Sequence, residues 1–215
     1  QQLDKWYLVM EFCPLDLEGL IKSSKDAPLR PGQVKDIMRQ LLSGLKVLHE
    51  NYVIHRDIKS ANCLVSPAGI VKLCDFGCAR QFGEFCGRLT PYVVSGNYRS
   101  PELLLGLREY GGGADVWPMG CIFAELLQRE ILFKGKNELD QLNQIIAVLG
   151  KPAEDEWPEY DTLFQREFRK KSKTKTVPPV AAKEQTTATA DPSESSADGT
   201  TNSETDNRGQ DNADD

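Results

Sequence analysis

The stretch that decides the fold is His55-Arg56-Asp57-Ile58-Lys59-Ser60-Ala61-Asn62. Within it an Asp, a Lys two residues on and an Asn three residues further can converge on one phosphate group. The carboxylate can accept the proton of an attacking hydroxyl, the ammonium can neutralise the transferred phosphoryl group, and the Asn can hold Mg²⁺. Thirteen residues after Asn62, Asp75-Phe76-Gly77 supplies a second carboxylate for the metal ion. This spacing predicts a site for phosphoryl transfer.

The two stretches together match the H-R-D-x-K-x-x-N and D-F-G elements of protein kinases. Residues 6–161 resemble a kinase of the cyclin-dependent group, in particular its PITSLRE-type, transcription-linked branch. That finer likeness is carried by three stretches, Leu8-Val9-Met10-Glu11-Phe12-Cys13, Asp16-Leu17 and Leu139-Asp140-Gln141-Leu142. The resemblance implies an α+β, protein-kinase-like fold with a mainly helical C-terminal lobe and short β-hairpins. Most of the N-terminal lobe is expected to lie outside this sequence.

The resemblance also implies an activity and its cofactors. A kinase of this group transfers the γ-phosphoryl group of ATP to Ser or Thr with Mg²⁺, and Lys59 favours Ser/Thr over Tyr targets. The implied catalytic residues are Asp57, Lys59 and Ser95, where Ser95 replaces a Thr that bonds to the catalytic Asp and Lys. The implied metal ligands are Asn62 and Asp75. The implied partners are protein substrates and a cyclin.

A nucleotide site is predicted between the start of the chain and the segment around residue 70. Residues 6–10 form a β-rich apolar run that predicts a strand. The resemblance to kinases implies that a hinge follows it, whose backbone at Glu11 and Cys13 would bind adenine. Cys63–Val65 and Ile70–Leu73 flank Ser66-Pro67-Ala68-Gly69, which suits a type I turn and predicts a hairpin. The predicted ATP-binding residues are Met10, Glu11, Cys13, Asp16, Leu64 and Cys74.

Residues 78–102 resemble an activation segment that ends in Ser100-Pro101-Glu102, a variant of A-P-E. Thr90 aligns with the phosphorylated Thr of cyclin-dependent kinases, and Arg56 and Arg80 are the charges that its phosphate would pair with. An unmodified loop threonine is the alternative.

Three residues after Thr90, the predicted activation segment continues towards a substrate pocket. Val93, Val94 and Arg99 resemble the pocket that accepts Pro after the target Ser/Thr in this kinase group. Asn97 stands where Trp is usual, which removes packing from the segment.

Two amphipathic segments predict helices of the core. Apolar residues recur at helical spacing from Val34 to Leu48, including Leu42, and predict a helix that ends before Asn51 and buries this apolar face in the core. His49 is expected to be an ordinary helix-end residue, and His55 a buried support of the loop. A second helix starts near Asp115, with Ile122, Phe123, Leu126 and Leu127 expected to be buried. Kinases use this Asp to hold the catalytic loop, and Pro118 is expected to shift the helix start and loosen that contact.

The charge of the 215-residue chain is unevenly placed. The formal net charge is −6, but residues 177–215 contain nine acidic residues and two basic ones, so the remainder is close to neutral. The near-neutral charge of residues 1–176 does not suggest that this part of the chain binds nucleic acid. The six cysteines form no CxxC pair, so a zinc site is not expected. No signal peptide or membrane-spanning run is found, so a nuclear or cytoplasmic location with reduced thiols is predicted.

These patterns divide the chain into four parts. Residues 1–13 are expected to form the last strand of the N-terminal lobe and the hinge, and residues 14–161 an incomplete C-terminal lobe. Residues 162–175 are expected to be a basic linker, which could also be a nuclear-import signal. Residues 176–215 have hardly any large apolar side chain and are predicted to be a disordered acidic tail.

Several kinase elements do not occur in this sequence: the G-x-G-x-x-G loop, the V-A-I-K lysine, the helix with its Glu partner, and the Arg that pairs with Glu102. Two hypotheses follow. The chain is part of a Ser/Thr kinase whose activity in isolation is impaired, or it is an inactive kinase-like binding module. In either case, apolar surface should be exposed near Met10, Leu64 and the start of the helix at Val34.

Overall fold

The structure is a computed structural model that describes residues 7–23, 28–83, 89–90 and 95–169. All of them belong to one compact unit, Gln1–Thr176, and the second unit, Val177–Asp215, lies outside the described residues. The α-helices are α1 (Leu17–Ser23), α2 (Pro31–Glu50), α3 (Pro101–Leu104), α4 (Gly113–Gln128), α5 (Glu138–Leu149) and α6 (Tyr160–Phe164). The strands are β1 (Leu15–Asp16), β2 (Val53–Ile54), β3 (Cys63–Val65), β4 (Val71–Leu73) and β5 (Arg80–Gln81).

Helix α2 is the longest element and ends where the sequence predicts, before Asn51. It begins at Pro31, three residues before the predicted start, because proline suits the first helical position and the Gln33 side chain accepts the Arg30 N–H at 2.9 Å. Val34, Ile37, Leu41 and Leu45 are buried on its inner face. The burial predicted for Leu42 is wrong, since it is 46% exposed at the edge of this face.

The predicted hairpin is present as β3 and β4, which pair antiparallel with Leu64 opposite Lys72. Its turn is closed by a 2.9 Å bond from the Gly69 N–H to the Ser66 carbonyl, with Gly69 at φ 77°, a conformation that favours glycine. Strand β1 pairs antiparallel with the other edge of β3, and β2 pairs antiparallel with β5. Residues 55–62, called the catalytic loop below, connect β2 to β3, so each of the two small sheets supplies the strand at one end of this loop.

The strand predicted at residues 6–10 is wrong for the residues that the structure describes. Residues 7–13 have no strand conformation, and Tyr7, Leu8 and Val9 are each more than 80% exposed. A β-prone run needs a neighbouring strand to satisfy its backbone groups, and no strand within the described ranges pairs with this one.

The core lies between α2, α4, α5 and the two sheets. Within α4, Ile122 and Leu126 are buried as predicted, whereas the burial predicted for Phe123 and Leu127 is wrong, since they are 45% and 57% exposed. They face the outer side of α2, where the described residues leave an open groove.

Residues 162–169 are helical rather than a linker. Helix α6 runs into a π-helical turn at Gln165–Arg169, and Leu163 is buried. Phe164 and Phe168 pack against the core with their rings 5.2 Å apart, so these apolar residues outweigh the basic composition that suggested a linker. The rest of the predicted linker and the predicted acidic tail lie outside the described residues. No helix in the described ranges has both the length and the apolar character needed to cross a membrane.

Candidate active site

Asp57 lies at the centre of a hydrogen-bonded cluster formed by the predicted catalytic residues. Its Oδ2 is 2.7 Å from the Lys59 ammonium, and its Oδ1 accepts the backbone N–H and the hydroxyl of Ser95 at 3.1 and 3.2 Å. The Lys59 ammonium also donates to the Ser95 hydroxyl at 3.2 Å. The structure therefore brings all three residues together.

The charge state of Asp57 follows from these contacts. Partial burial tends to raise the pKa of Asp57, but the Lys59 ammonium and the two bonds from Ser95 outweigh it and hold the pKa below its usual value. Asp57 is therefore an ionised carboxylate near neutral pH. That is the form which can hold the hydroxyl of a substrate.

The two predicted metal ligands lie at the base of the hairpin, Asn62 just before β3 and Asp75 shortly after β4. Asn62 donates its amide N–H to the Asp57 carbonyl at 2.8 Å and to Asp57 Oδ2 at 3.1 Å, which orients its side-chain oxygen. The Asn62 carbonyl accepts the Cys74 N–H at 3.0 Å, so the residue that precedes Asp75 is bonded to Asn62. Asp75 is exposed with φ at 63°, a strained conformation held in part by a 3.3 Å bond from the Gly77 N–H.

This donor set fits a hard cation such as Mg²⁺. An amide oxygen and a carboxylate, completed by phosphate and water, are the ligands that Mg²⁺ takes in nucleotide sites. Over the ranges described, no group of three or more His, Cys, Asp or Glu residues could hold a metal ion by itself. A divalent ion here would therefore depend on the phosphates of a nucleotide.

Helix α4 fixes the catalytic loop through Asp115. The Asp115 carboxylate is fully buried and accepts the backbone N–H groups of His55 and Arg56 at 2.7 and 2.8 Å. The loosening predicted from Pro118 is wrong: α4 begins at Gly113 and includes Pro118 without displacing Asp115. Arg56 needs this anchor because its φ is 68°, which is unfavourable for a side chain of its size.

Both histidines support this loop. His49 Nε2 lies 3.2 Å from Asp115 Oδ2, so the prediction of an ordinary helix-end residue is wrong. His55 is fully buried, as predicted. Its Nε2 donates to the Cys74 carbonyl at 3.0 Å and its Nδ1 accepts the Asp57 N–H at 3.3 Å, which requires the neutral Nε2–H tautomer. His55 thereby connects the catalytic loop to the segment that carries Asp75.

A second buried cluster was not found by sequence reasoning. The Glu125 carboxylate on α4 accepts the Tyr98 hydroxyl at 2.7 Å and the Ser60 hydroxyl at 3.1 Å. Burial raises the pKa of Glu125, and these two bonds only partly offset it. Burial likewise raises the pKa of Tyr98 far above its usual range, so its hydroxyl remains a donor. The cluster joins the catalytic loop to the end of the activation segment.

The predicted activation-segment residues are only partly described. Thr90 is exposed, and its carbonyl accepts the Tyr110 hydroxyl at 2.7 Å. Arg56 is 4% exposed and reaches the same hydroxyl at 3.1 Å, whereas Arg80 is exposed and bonds to the Ala79 carbonyl.

Part of the predicted substrate pocket can be placed. Arg99 pairs with Glu138 of α5 at 2.9 Å, while Val93 and Val94 lie outside the described residues. The Gln141 side chain on α5 donates to the Asn97 carbonyl at 3.0 Å. Gln141 thereby supports the predicted activation segment at Asn97, which stands where the resembling kinases usually have Trp. Glu102 forms no ion pair with any described residue.

The structure places the predicted nucleotide residues on β1, on β3, just after β4 and in the segment before β1. Asp16 pairs with Leu64 between β1 and β3, and its carboxylate accepts the Gly19 N–H at 2.7 Å. Cys74 follows β4 and is half-buried, as Leu64 is. Met10 is 66% exposed.

The hinge residues lie in the segment before β1, which has no regular secondary structure. Glu11 is exposed and forms an ion pair with Lys72 of β4, and Cys13 is half-buried. The hinge segment is thus held against the hairpin by a charge contact that the sequence did not predict.

Comparison with known proteins settles the family. The sequence matches the model of the protein kinase domain over residues 1–196. The chain belongs to the protein kinase family. The predicted α+β kinase-like fold is thereby confirmed, as is the resemblance to the cyclin-dependent group and its PITSLRE-type branch.

The most similar kinases support that subdivision. The chain is 50% identical over 161 residues to cyclin-dependent kinase 11B of Mus musculus, covering 75% of this chain and 20% of that protein. It is 49% identical over 157 residues to cyclin-dependent kinase G1 of Arabidopsis thaliana, covering 73% and 26%. A solved chain of the CAK complex from Chaetomium thermophilum bound to ATP-γ-S has a TM-score of 0.68 and 41% identity over 71% of this chain and 48% of its own. The chain thus spans about a fifth to a quarter of these curated relatives.

Proposed function

We propose that this chain carries the catalytic loop of a cyclin-dependent-type Ser/Thr protein kinase that transfers the γ-phosphoryl group of ATP to a Ser or Thr hydroxyl. The observation that carries the proposal is the cluster of Asp57, Lys59 and Ser95 beside Asn62. A half-buried carboxylate with this arrangement of an ammonium, a hydroxyl and an amide matches what phosphoryl transfer requires.

Each side chain has a role that follows from its contacts. Asp57 orients the substrate hydroxyl and receives its proton, and its lowered pKa keeps it ionised before the reaction. Lys59 lies within bonding distance of both Asp57 and Ser95, so its ammonium can neutralise charge that develops on the transferred group. Asn62 and Asp75 would hold Mg²⁺, which neutralises phosphate charge when bound.

The cofactor and partners are proposed by analogy with the relatives. The CAK chain with 41% identity comes from a complex bound to ATP-γ-S, which supports ATP as the nucleotide. Relatives named cyclin-dependent kinases support protein substrates and a cyclin partner for the whole protein. A preference for Pro after the target residue rests on Arg99, the one described member of the predicted pocket.

Nucleotide binding provides the first test. Calorimetry with the 215-residue chain should detect MgATP binding that is weakened at least tenfold by Asp75→Asn and left unchanged by the control Asp155→Asn, at an exposed position away from the loop. Binding that is independent of Mg²⁺ and of Asp75, or no binding, would favour the inactive binding module.

Catalysis provides the second test. In the full-length protein with its cyclin, Asp57→Asn should lower peptide phosphorylation by a factor of about 10² or more, because the base and its charge are lost together. Unchanged phosphorylation would refute the catalytic assignment.

A further inference from the structure

Arg56 is a buried cation without a described counter-charge. It is 4% exposed, and its guanidinium donates to the Cys78 carbonyl at 2.7 Å and to the Tyr110 hydroxyl at 3.1 Å. Neither acceptor is charged, and no carboxylate among the described residues forms an ion pair with this guanidinium. A buried charge without an anion is costly, and a guanidinium has five N–H donors. The surroundings of Arg56 therefore favour an anion on the side where Tyr110 lies.

The Tyr110 hydroxyl joins Arg56 to Thr90. It accepts from Arg56 and donates to the Thr90 carbonyl at 2.7 Å. A second bond, from the Leu89 N–H to the Arg108 carbonyl at 2.9 Å, holds the same short segment on the loop that precedes α4. The Thr90 side chain is exposed. The Thr90 carbonyl is connected to the Arg56 guanidinium through the two hydrogen bonds of the Tyr110 hydroxyl.

This arrangement is anchored next to helix α4. Tyr110 lies three residues before α4, and α4 also supplies Asp115, which accepts the Arg56 N–H at 2.8 Å. Both Arg56 and the tyrosine that contacts it are thus fixed relative to one helix. A group on Thr90 that reached Arg56 would therefore meet a guanidinium already in place.

We propose that Tyr110 is a positioning residue whose uncharged hydroxyl holds Thr90 at the anion site of Arg56 until a phosphate on Thr90 takes over that contact. This rests on the proposed kinase function and on the sequence-based prediction that Thr90 is a phosphorylation site. In that modification the Thr90 Oγ forms a bond to the γ-phosphorus of ATP supplied through a protein kinase, the Oγ proton is lost, and the bond to the bridging oxygen breaks to release ADP. The phosphate brings a charge of about −2 and three acceptor oxygens. It binds Arg56 more strongly than a neutral hydroxyl can.

The test combines Tyr110→Phe with the modification state of Thr90. Four forms of the 215-residue chain are compared: wild type and Tyr110→Phe, each with Thr90 unmodified or with phosphothreonine incorporated at position 90. The readout is hydrogen exchange of the Leu89 amide, which depends on the segment staying on the loop. Tyr110→Phe should accelerate this exchange about three- to tenfold in the unmodified chain, as expected for one lost hydrogen bond. In the phosphorylated chain the acceleration should be less than about twofold.

Tyr52→Phe is the matched control. Tyr52 is 67% exposed, and its hydroxyl makes no hydrogen bond to a described residue, so this change should leave the exchange of Leu89 unaltered in both states. Dependence on phosphorylation is the part of the result that a merely structural tyrosine would not produce.

Three results would overturn the proposal. Tyr110→Phe could leave exchange unchanged in the unmodified chain, or accelerate it equally in both states, or accelerate it in α4 as well, which would indicate a general packing role. Exchange requires no catalysis. The two failures are therefore distinguishable: phosphorylation by the full-length protein that is unaffected by Asp57→Asn would refute the proposed function, whereas a wrong exchange pattern would refute the role of Tyr110.

Discussion

At the residue scale, Lys59 lowers the pKa of Asp57. Lys59→Met removes both a 2.7 Å hydrogen bond and a positive charge, so the pKa of Asp57 should rise. Ser95→Ala should raise it less, because the Ser95 backbone N–H still donates to Asp57. Carbon-13 NMR titration of the Asp57 carboxyl group measures both shifts.

The same change has a consequence for stability against pH. A carboxylate with a lowered folded-state pKa contributes stability that is present above its unfolded pKa, about 4, and lost as the pH falls through the folded-state value. Lys59→Met should therefore reduce the loss of stability between neutral and acidic pH in urea titrations. An Asp57 pKa that is unchanged in Lys59→Met would show that other groups set it.

Residue-level prediction worked where the partners are close in sequence. Asp57, Lys59 and Asn62 lie within six residues, so their convergence could be predicted from one motif. The cluster at Glu125 joins residues 27 and 65 positions apart, and Ser60 and Tyr98 carry no pattern that pairs them with it. His49 was missed for the same reason, because its partner Asp115 is 66 positions away.

At the scale of elements, Asp115 connects α4 to the catalytic loop. Asp115→Ala would leave the buried N–H groups of His55 and Arg56 without their acceptor, at about 1–3 kcal/mol each, so the free energy of unfolding should fall by about 2–6 kcal/mol. The control Asp36→Ala, on the exposed side of α2, should change it by less than about 1 kcal/mol. Urea denaturation measures both, and equal small effects would mean that the loop does not depend on α4.

The close contact of Gly135 with α5 can be tested by substituting this glycine and comparing it with Gly120. A Cβ on Gly135 would lie 2.4 Å from the backbone of Gln141, so Gly135→Ala should lower the free energy of unfolding by about 1–3 kcal/mol. Gly120 lies inside α4, and a Cβ added there would meet no neighbouring segment within 4 Å. Gly120→Ala should therefore raise the free energy of unfolding by about 0.5–1 kcal/mol. Thermal and urea unfolding report the signs. A neutral Gly135→Ala would show that the two segments are farther apart than described.

Elements were predictable where local pattern and packing agree. Helix α2 and the hairpin of β3 and β4 have strong periodicity and turn residues, and both were predicted with bounds within three residues. The strand expected at residues 6–10 has the right composition but no described partner. A strand is stabilised by its neighbour, which a single segment of sequence does not contain.

At the scale of the whole molecule, the exposed apolar surface of the described residues includes two continuous stretches. One is the segment Tyr7–Met10, where all four side chains are more than 60% exposed. The other is a groove of about 730 Å³ between α2 and α4, which Leu42, Phe123 and Leu127 line. The sequence predicted exposure near Met10 and the start of α2. The start of α2 does line part of the groove, at Pro31 and Val34. The part lined by Leu42, Phe123 and Leu127 was not predicted, because the helical pattern cannot tell which part of an apolar face meets another helix.

This surface predicts that the isolated chain self-associates. Sedimentation velocity from low to high micromolar concentration should show a rising mass, since a fully buried Leu side chain contributes about 1.5–3 kcal/mol to an interface. Leu42→Gln and Leu127→Gln should each weaken association about tenfold or more, while Leu139→Gln, at a half-exposed position on α5 outside the groove, should not. If only Leu139→Gln reduced association, the contact would lie on α5 instead. A chain that stayed monomeric and melted in one sharp, cooperative transition would show that the groove between α2 and α4 is compatible with an isolated, stable fold.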